Sequence, residues 1–496
     1  MNLAQRLLKA GVLTPDQLAP ALYRQKKHRG FLVKHLLDLK LLDPEVLKDF
    51  LSPYPTAPET LEETGLSQNL MIQLLLKHAY CRDSFSVREM SQDLKLPPQL
   101  VEKLIAYLKG QKLVFARPRD MITVKDRLSV EMYYAPTELG RALAEQALEA
   151  NRYVGPAPVP LEDYWDWVEA QTIHQVKVDM RHLQAALAEY ELLPGLLDKI
   201  GPAVNSGRSI FLFGPSGNGK TVISTAIGHS FKDAVYIPYA LYLNGQIIPL
   251  FDELNHQPLP ANDKTPSKHD TRWVLCRRPV VIVGGELTEE SLELRFNPIL
   301  KYYDAPHQLR ANNGVFVIDD FGRQKISPRQ LLNRWMYPLE TRQDFCCFHT
   351  GQQFAVPFDQ LVIFSTNLNP HSLVDSAFLR RMRYKIFLGH ATPNQYLAIF
   401  RRLCQKCGLN FDEGIVRNMM NRYYVATSRP LSACQPRDLV RCLVDQARFL
   451  GVEPRLTADT LEHVCQTYFV KKGKIDDYDC ISDEGTKPLG LAQAAL

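Results

Sequence analysis

The run Ser209-Ile-Phe-Leu-Phe-Gly-Pro-Ser-Gly-Asn-Gly-Lys-Thr-Val222 restricts this chain more than any other stretch. Gly214 is followed by four residues and then by Gly219-Lys220-Thr221, the spacing of a phosphate-binding loop. Ile210 to Phe213 is an apolar run of strand length, and Thr221 to Phe231 carries apolar residues at helical spacing. Strand, glycine-rich loop and helix in that order turn backbone N–H groups toward a phosphate, and the helix N-terminus adds partial positive charge. The expected nucleotide-binding residues are therefore Gly214, Pro215, Ser216, Gly217, Asn218, Gly219, Lys220, Thr221 and Val222. Lys220 can reach the β- and γ-phosphates of ATP, and the Thr221 hydroxyl can ligate Mg²⁺.

A chain of 496 residues has room for roughly three domains. Its 45% hydrophobic and 23% charged residues are ordinary for a globular protein, and a net charge of +5 gives no global case for nucleic acid. No apolar run approaches the ~20 residues of a membrane span, and Met1-Asn-Leu-Ala-Gln-Arg6 lacks the apolar core of a secretory signal. The ten cysteines are scattered, mostly in apolar surroundings, which points to reduced thiols and a cytoplasmic location. Cys404-Gln-Lys-Cys407 has no second pair nearby and reads as two helix positions before a Gly408 cap.

Residues 1–60 contain two similar leucine-rich units offset by about 29 residues, each two short amphipathic helices with a cap turn at Thr14-Pro15 or Asp43-Pro44. This resembles the N-terminal domain of type II secretion and type IV pilus assembly ATPases, related forms of which bind cyclic di-GMP. That family's ligand motif begins Arg-Leu-Gly, whereas Asn2-Leu3-Ala4 and Phe31-Leu32-Val33 stand here, so a protein-docking module is the expectation. Residues 66–150 read as a winged helix, with helices around Leu70–Leu76, Ser86–Leu94 and Pro97–Lys109 and wing strands at Leu113–Arg117 and Ser129–Tyr134. Such folds often set the third helix in a DNA groove. Residues 65–150, however, hold twelve Lys/Arg against ten Asp/Glu, and the third helix only Lys103 and Lys109 against Glu102. DNA is therefore the less favoured partner and a protein client the expected one. Residues 151–164 are rich in proline and read as a stiff linker.

Downstream, Gly314-Val-Phe-Val-Ile-Asp-Asp-Phe321 is four apolar residues followed by two carboxylates. A buried strand would carry Asp319 to the Mg²⁺ shell and leave Asp320 to act on water. Gln360-Leu-Val-Ile-Phe-Ser-Thr-Asn367 is a second apolar strand, ending in an Asn367 that can reach the attacking water or the γ-phosphate. Arg380 and Arg381 could contact a phosphate bound by a neighbouring subunit, and Arg437, opening a later amphipathic helix, could fold over the nucleotide.

Over residues 165–470 the chain resembles the AAA+ ATPases. Gly214 to Thr221 matches Walker A, Val315 to Asp320 Walker B, Ser365-Thr-Asn367 sensor 1, Arg380-Arg381 the paired fingers of Clp-type members, and Arg437 sensor 2. The family usually places Glu where Asp320 stands. The resemblance implies an α/β fold: a P-loop core of parallel sheet flanked by helices (165–390), a helical lid (391–470) and a mobile tail (471–496), preceded by small all-α and winged-helix domains. It also implies Mg²⁺-dependent ATP hydrolysis by a homo-oligomeric ring, with a hexamer favoured, acting as a remodelling or assembly chaperone. A DNA-binding regulator and a slow ATP-binding scaffold are the alternatives. Asp344 to Val356 reads as a hairpin around Thr350-Gly351, placed like the pre-sensor-1 hairpin of MoxR-like members, whose tip can face a ring's pore. Tyr242, Leu243 and Gly245 could form a second substrate-facing loop, and the polar stretch Gln257 to Asp270 an exposed insertion.

Overall fold

Short apolar runs with polar ends become the strands of one five-stranded parallel sheet: β1 (Ile210–Phe213), β2 (Val280–Val283), β3 (Val315–Ile318), β4 (Leu361–Thr366) and β5 (Tyr384–Phe387), in the spatial order β2-β3-β4-β1-β5. These observations come from a computed structural model that describes residues 4, 7–8, 10–28, 32–43, 46, 54–117, 132–192, 195–260, 269–373 and 376–469. A parallel sheet covered on both faces needs apolar residues at every position, and every residue of β3 is buried. Alternate residues serve opposite faces. Ile210, Leu212, Val315, Val317, Leu361 and Ile363 join Ile223 and Ile227 of helix α1 (Lys220–Ser230) in one core. Phe211, Phe316, Ile318, Val362 and Phe364 meet Leu331 and Trp335 of α2 (Pro328–Thr341) in another. The fold is thus mixed α/β around a parallel sheet.

The chain divides into two compact units, Met1–Pro215 with Gly219–Leu388, and Ser216–Asn218 with Gly389–Leu496. The second is helical. Helices at Pro393–Lys406, Glu413–Met420, Gln435–Leu450 and Ala458–Tyr468 enclose a core that includes Tyr396, Phe400, Val416, Leu439 and Leu461.

Within the first unit, Pro15–His28 and Leu32–Asp38 are helices over a small core of Leu7, Leu18, Ala21 and Leu36. Thr14 and Gln17 cap the first reciprocally. The second cap turn, at Asp43-Pro44, falls mostly outside the described residues, as do 118–131 and the tail from 470. Helices at Gln68–Tyr80, Val87–Leu94, Pro98–Gly110 and Glu138–Ala150 pack with a three-stranded antiparallel sheet of Phe85–Ser86, Val114–Arg117 and Tyr133–Pro136.

Residues 151–164, expected as a stiff linker, are largely packed. Tyr153, Ala157, Val159 and Leu161 are buried. Val159–Pro160 pairs in parallel with the hairpin strand Ala240–Leu243, and the Ala157 amide donates to the Leu94 carbonyl. The guanidinium of the buried Arg272 donates to Asp270 and to the carbonyls of Thr64 and Pro158, tying three distant segments together. Pro160 thus sits in the edge strand of a three-stranded sheet, where proline's missing N–H is tolerated.

The hairpin expected around Thr350-Gly351 forms, with Gln343–Cys347 paired to Gln353–Pro357. Its tip does not stand free. His349 stacks on Phe296 with ring centroids 4.4 Å apart and shares a hydrogen bond with the Tyr303 hydroxyl. The turn at Asn244-Gly245 joins Ala240–Leu243 to Gln246–Pro249, but Tyr242 and Leu243 pack against two apolar cores. Both candidate substrate loops thus commit their aromatic residues to packing.

One buried pair makes this unit sensitive to acid. Asp359 accepts hydrogen bonds from the Thr172 hydroxyl, the Ile173 amide and the Asn313 side-chain amide, and His174 Nε2 lies 3.3 Å from its carboxylate. Burial pushes the His174 pKa down to about 4 although Asp359 opposes the shift. The folded value is below that of an unfolded histidine, so its contribution is complete above pH ~6.5 and is lost as pH falls toward 4. Between pH 7 and 5, wild type should lose on the order of 2 kcal/mol more stability than His174→Gln in urea titrations. Parallel losses in the two proteins would contradict this assignment.

Candidate functional site

β1 runs directly into the glycine loop, and Gly219 caps α1 with φ of +83°. Gly214 needs to be glycine for two reasons. Its φ is +143°, and a Cβ there would collide with the Leu388 carbonyl. Lys220 opens α1 and is buried. Its ammonium donates to the carbonyls of Gly214 and Pro215, each at 2.8 Å, so the loop is closed around its own lysine. Burial pushes the Lys220 pKa down, and Asp319 and Asp320 oppose that shift.

β3 and β4 deliver the acidic and polar groups. The Thr221 hydroxyl donates to Asp319 Oδ2 at 2.6 Å, and the Ser365 hydroxyl to Asp319 Oδ1 at 2.7 Å. The Asn367 side-chain amide donates to Asp320 Oδ1 at 2.9 Å. Lys220, Thr221, Asp319, Asp320 and Asn367 are therefore brought together, because β4 lies between β1 and β3 and all three strands end on the same side. Asp320 has φ of +48°. Aspartate tolerates that left-handed conformation better than longer side chains do, which gives a physical reason for Asp where the family resemblance leads one to expect Glu.

Two further side chains support this cluster. Ser365 holds the second oxygen of Asp319, and Gln324 buttresses the turn after β3, donating to the Asp319 carbonyl and accepting from the Gly322 amide. Gln324 carries no sequence signal, since a single Gln five residues beyond a carboxylate is unremarkable in any turn.

Two of the remaining expected site residues lie away from this cluster. Arg380 and Arg381 end the short helix α3 (Ser376–Arg381), just before β5 and so at the opposite end of the sheet from the glycine loop. Arg381 Nε donates to Glu340 at 2.5 Å, and Arg380 is exposed. In the second unit, Arg437 lies in the first turn of Gln435–Leu450, 3.3 Å from Asp438. The residues just before that helix touch the loop segment of the same unit: the Cys434 amide donates to the Gly217 carbonyl and the Ala433 amide to Asn218 Oδ1.

The residues present fit a Mg²⁺–nucleotide. Asn367 Oδ1 is buried without a hydrogen-bond partner, the loop conformation depends on glycine, and one hydroxyl and one carboxylate meet at Thr221–Asp319. Mg²⁺ is commonly held by so few protein oxygens, with waters and phosphates completing its shell. No cluster of three His, Cys, Asp or Glu suited to a metal occurs among the described residues, and no described helix is long and apolar enough to cross a membrane.

A family model described as a domain of unknown function, DUF8689, matches residues 392–467. No curated protein matches the chain. Similar solved structures include NtrX from Brucella abortus, at 16% identity and a TM-score of 0.35, covering 69% of this chain and 65% of that one. They also include the RuvB Holliday junction branch migration motor of Thermotoga maritima, at 14% identity and a TM-score of 0.31, covering 61% of this chain and 74% of that one. A point variant of the same motor has 13% identity, the same TM-score and the same coverage. The chain spans 65% of the length of the NtrX structure.

Proposed function

We propose that this chain is a Mg²⁺-dependent AAA+ ATPase that hydrolyses ATP to ADP and phosphate. The observation that carries the reading is the convergence of Lys220, Thr221, Asp319, Asp320 and Asn367 from three adjacent parallel strands. In it, the glycine loop and Lys220 hold the β- and γ-phosphates, while Thr221 and Asp319 hold Mg²⁺, which neutralises phosphate charge when bound. Asp320 and Asn367 orient a water for in-line attack on the γ-phosphorus. The bond from that phosphorus to the β-bridging oxygen breaks, and ADP leaves with the electron pair.

The finer reading is a homo-oligomeric ring, hexameric by preference, in which Arg380 and Arg381 act on ATP bound by the neighbour. Its work is the remodelling or assembly of a protein complex recruited through residues 1–150. The leucine-rich N-terminal units, with their likeness to secretion and pilus ATPases, support a surface-machine client, and the location that follows is cytoplasmic. Steady-state phosphate release by the full chain tests the core of this reading. Release should require Mg²⁺ and stop on chelation; a rate at the buffer background with Mg²⁺ and saturating ATP would remove the enzyme claim.

A further inference from the structure

At the end of the sheet away from the glycine loop lies an open-mouthed cavity of about 260 Å³, too small for most drug-sized ligands. Its walls include Arg208, Arg342, Arg380, Arg381, Arg383 and Gln360. These come from the segment before β1, the end of α2, the entry to β4, and α3 with the residues leading into β5. Among the described residues, the only carboxylate in the lining is Glu340, and Arg381 occupies it. Burial lowers the Arg342 pKa against the pull of Asp359, and the like charge of neighbouring Arg208 adds a smaller push the same way. Folding several guanidinium groups around one hollow costs electrostatic repulsion, which an anion would relieve.

A second observation points to a ligand. Gln360 is 4% exposed and lines the cavity, yet neither its side-chain nitrogen nor its oxygen has a hydrogen-bond partner. A buried amide left bare in this way carries an uncompensated desolvation penalty, so native proteins rarely leave one so. Its N–H₂ can donate to an oxyanion, and its carbonyl can accept from a protonated phosphate oxygen.

From this we infer that the cavity is a second anion site, binding a phosphate or short polyphosphate group through Arg208, Arg342, Arg383 and Gln360. It is separate from the nucleotide loop. Strand β1 lies between Ser209 and Gly214, which sets the two sites roughly 16 Å apart along the strand. The phosphate belongs to a free small molecule and not to a nucleotide held by a second copy of this chain.

The test uses the full chain carrying Lys220→Ala, which weakens the main competing phosphate site. It is run at a concentration where sedimentation shows single chains. Inorganic phosphate, pyrophosphate and triphosphate are titrated calorimetrically at fixed salt. Saturable binding of one anion per chain is expected, weakened about tenfold or more by Arg208→Gln and by Arg342→Gln, since each removes a charge-assisted contact. Both arginines are exposed, so these variants should keep the parent's melting temperature; Arg383→Gln, also exposed, is a third independent reading. Absence of saturable binding, or binding indifferent to all three substitutions, would overturn the inference. Anion binding that appears only in the assembled wild-type oligomer with ATP would also overturn it, by assigning the cavity to the neighbour's nucleotide. Failure of ATP hydrolysis in wild type would leave this test untouched, because its readout is binding.

Discussion

Replacing Lys220 by alanine is expected to reduce phosphate release at saturating Mg²⁺-ATP by about 10²–10³-fold, the scale seen when one preorganised donor to a transition-state oxyanion is lost. The same change should weaken ATP binding, because the Lys220 ammonium is held within the glycine loop by two of the loop's own carbonyls. Those carbonyls are also the reason the effect should be confined to the site. They hold the lysine in place, and in the proposed reaction the ammonium would exchange them for phosphate oxygens. A fluorescent ATP analogue gives affinity, phosphate release gives turnover, and a melting curve reports any general loss of structure. Equal turnover in wild type and variant would remove Lys220, and with it the phosphate-loop reading.

The second large effect concerns Asp320. Asparagine also tolerates a left-handed backbone, so Asp320→Asn should leave the turn at φ of +48° intact while removing the carboxylate. Turnover should fall by about 10²-fold, within the usual range for a positioned acid–base group, and ATP affinity should stay within about threefold, since the hydrogen bond Asp320 accepts comes from Asn367 and not from the glycine loop. Asp320→Glu separates arm length from chemistry: glutamate reaches one methylene further but is less at ease in that conformation. Turnover in Asp320→Asn equal to wild type would make Asp320 a structural turn residue and would favour another carboxylate as the group that orients water.

The parts of the candidate site that were legible in the sequence are those whose chemistry is local. Ile210 to Thr221 form a strand, a loop and the start of a helix within about a dozen residues, and Gly214, Gly217 and Gly219 all take positive φ. Asp319, Asp320 and Asn367 were legible because an apolar run with a polar end is how a buried parallel strand presents a side chain at its tip. Less was legible where the outcome depended on what a segment packs against. Residues 151–164 look like a stiff linker because they are rich in proline, and only the neighbouring Ala240–Leu243 strand draws Val159 and Pro160 into a sheet. The hairpin tip at His349 reads as free until Phe296 and Tyr303 are placed beside it.

The sequence by itself determined the mixed α/β class, the glycine loop and the identities of the five groups that meet at its edge. Only the tertiary structure decided how they meet: which oxygen of Asp319 each hydroxyl bonds, that Asn367 touches Asp320, and that Arg380 and Arg381 stand at the far end of the sheet beside Arg208, Arg342 and Gln360. The reason is that a motif written in consecutive residues is held by bonded geometry, whereas a site assembled from strands far apart in the chain exists only once sheet order brings those strands side by side.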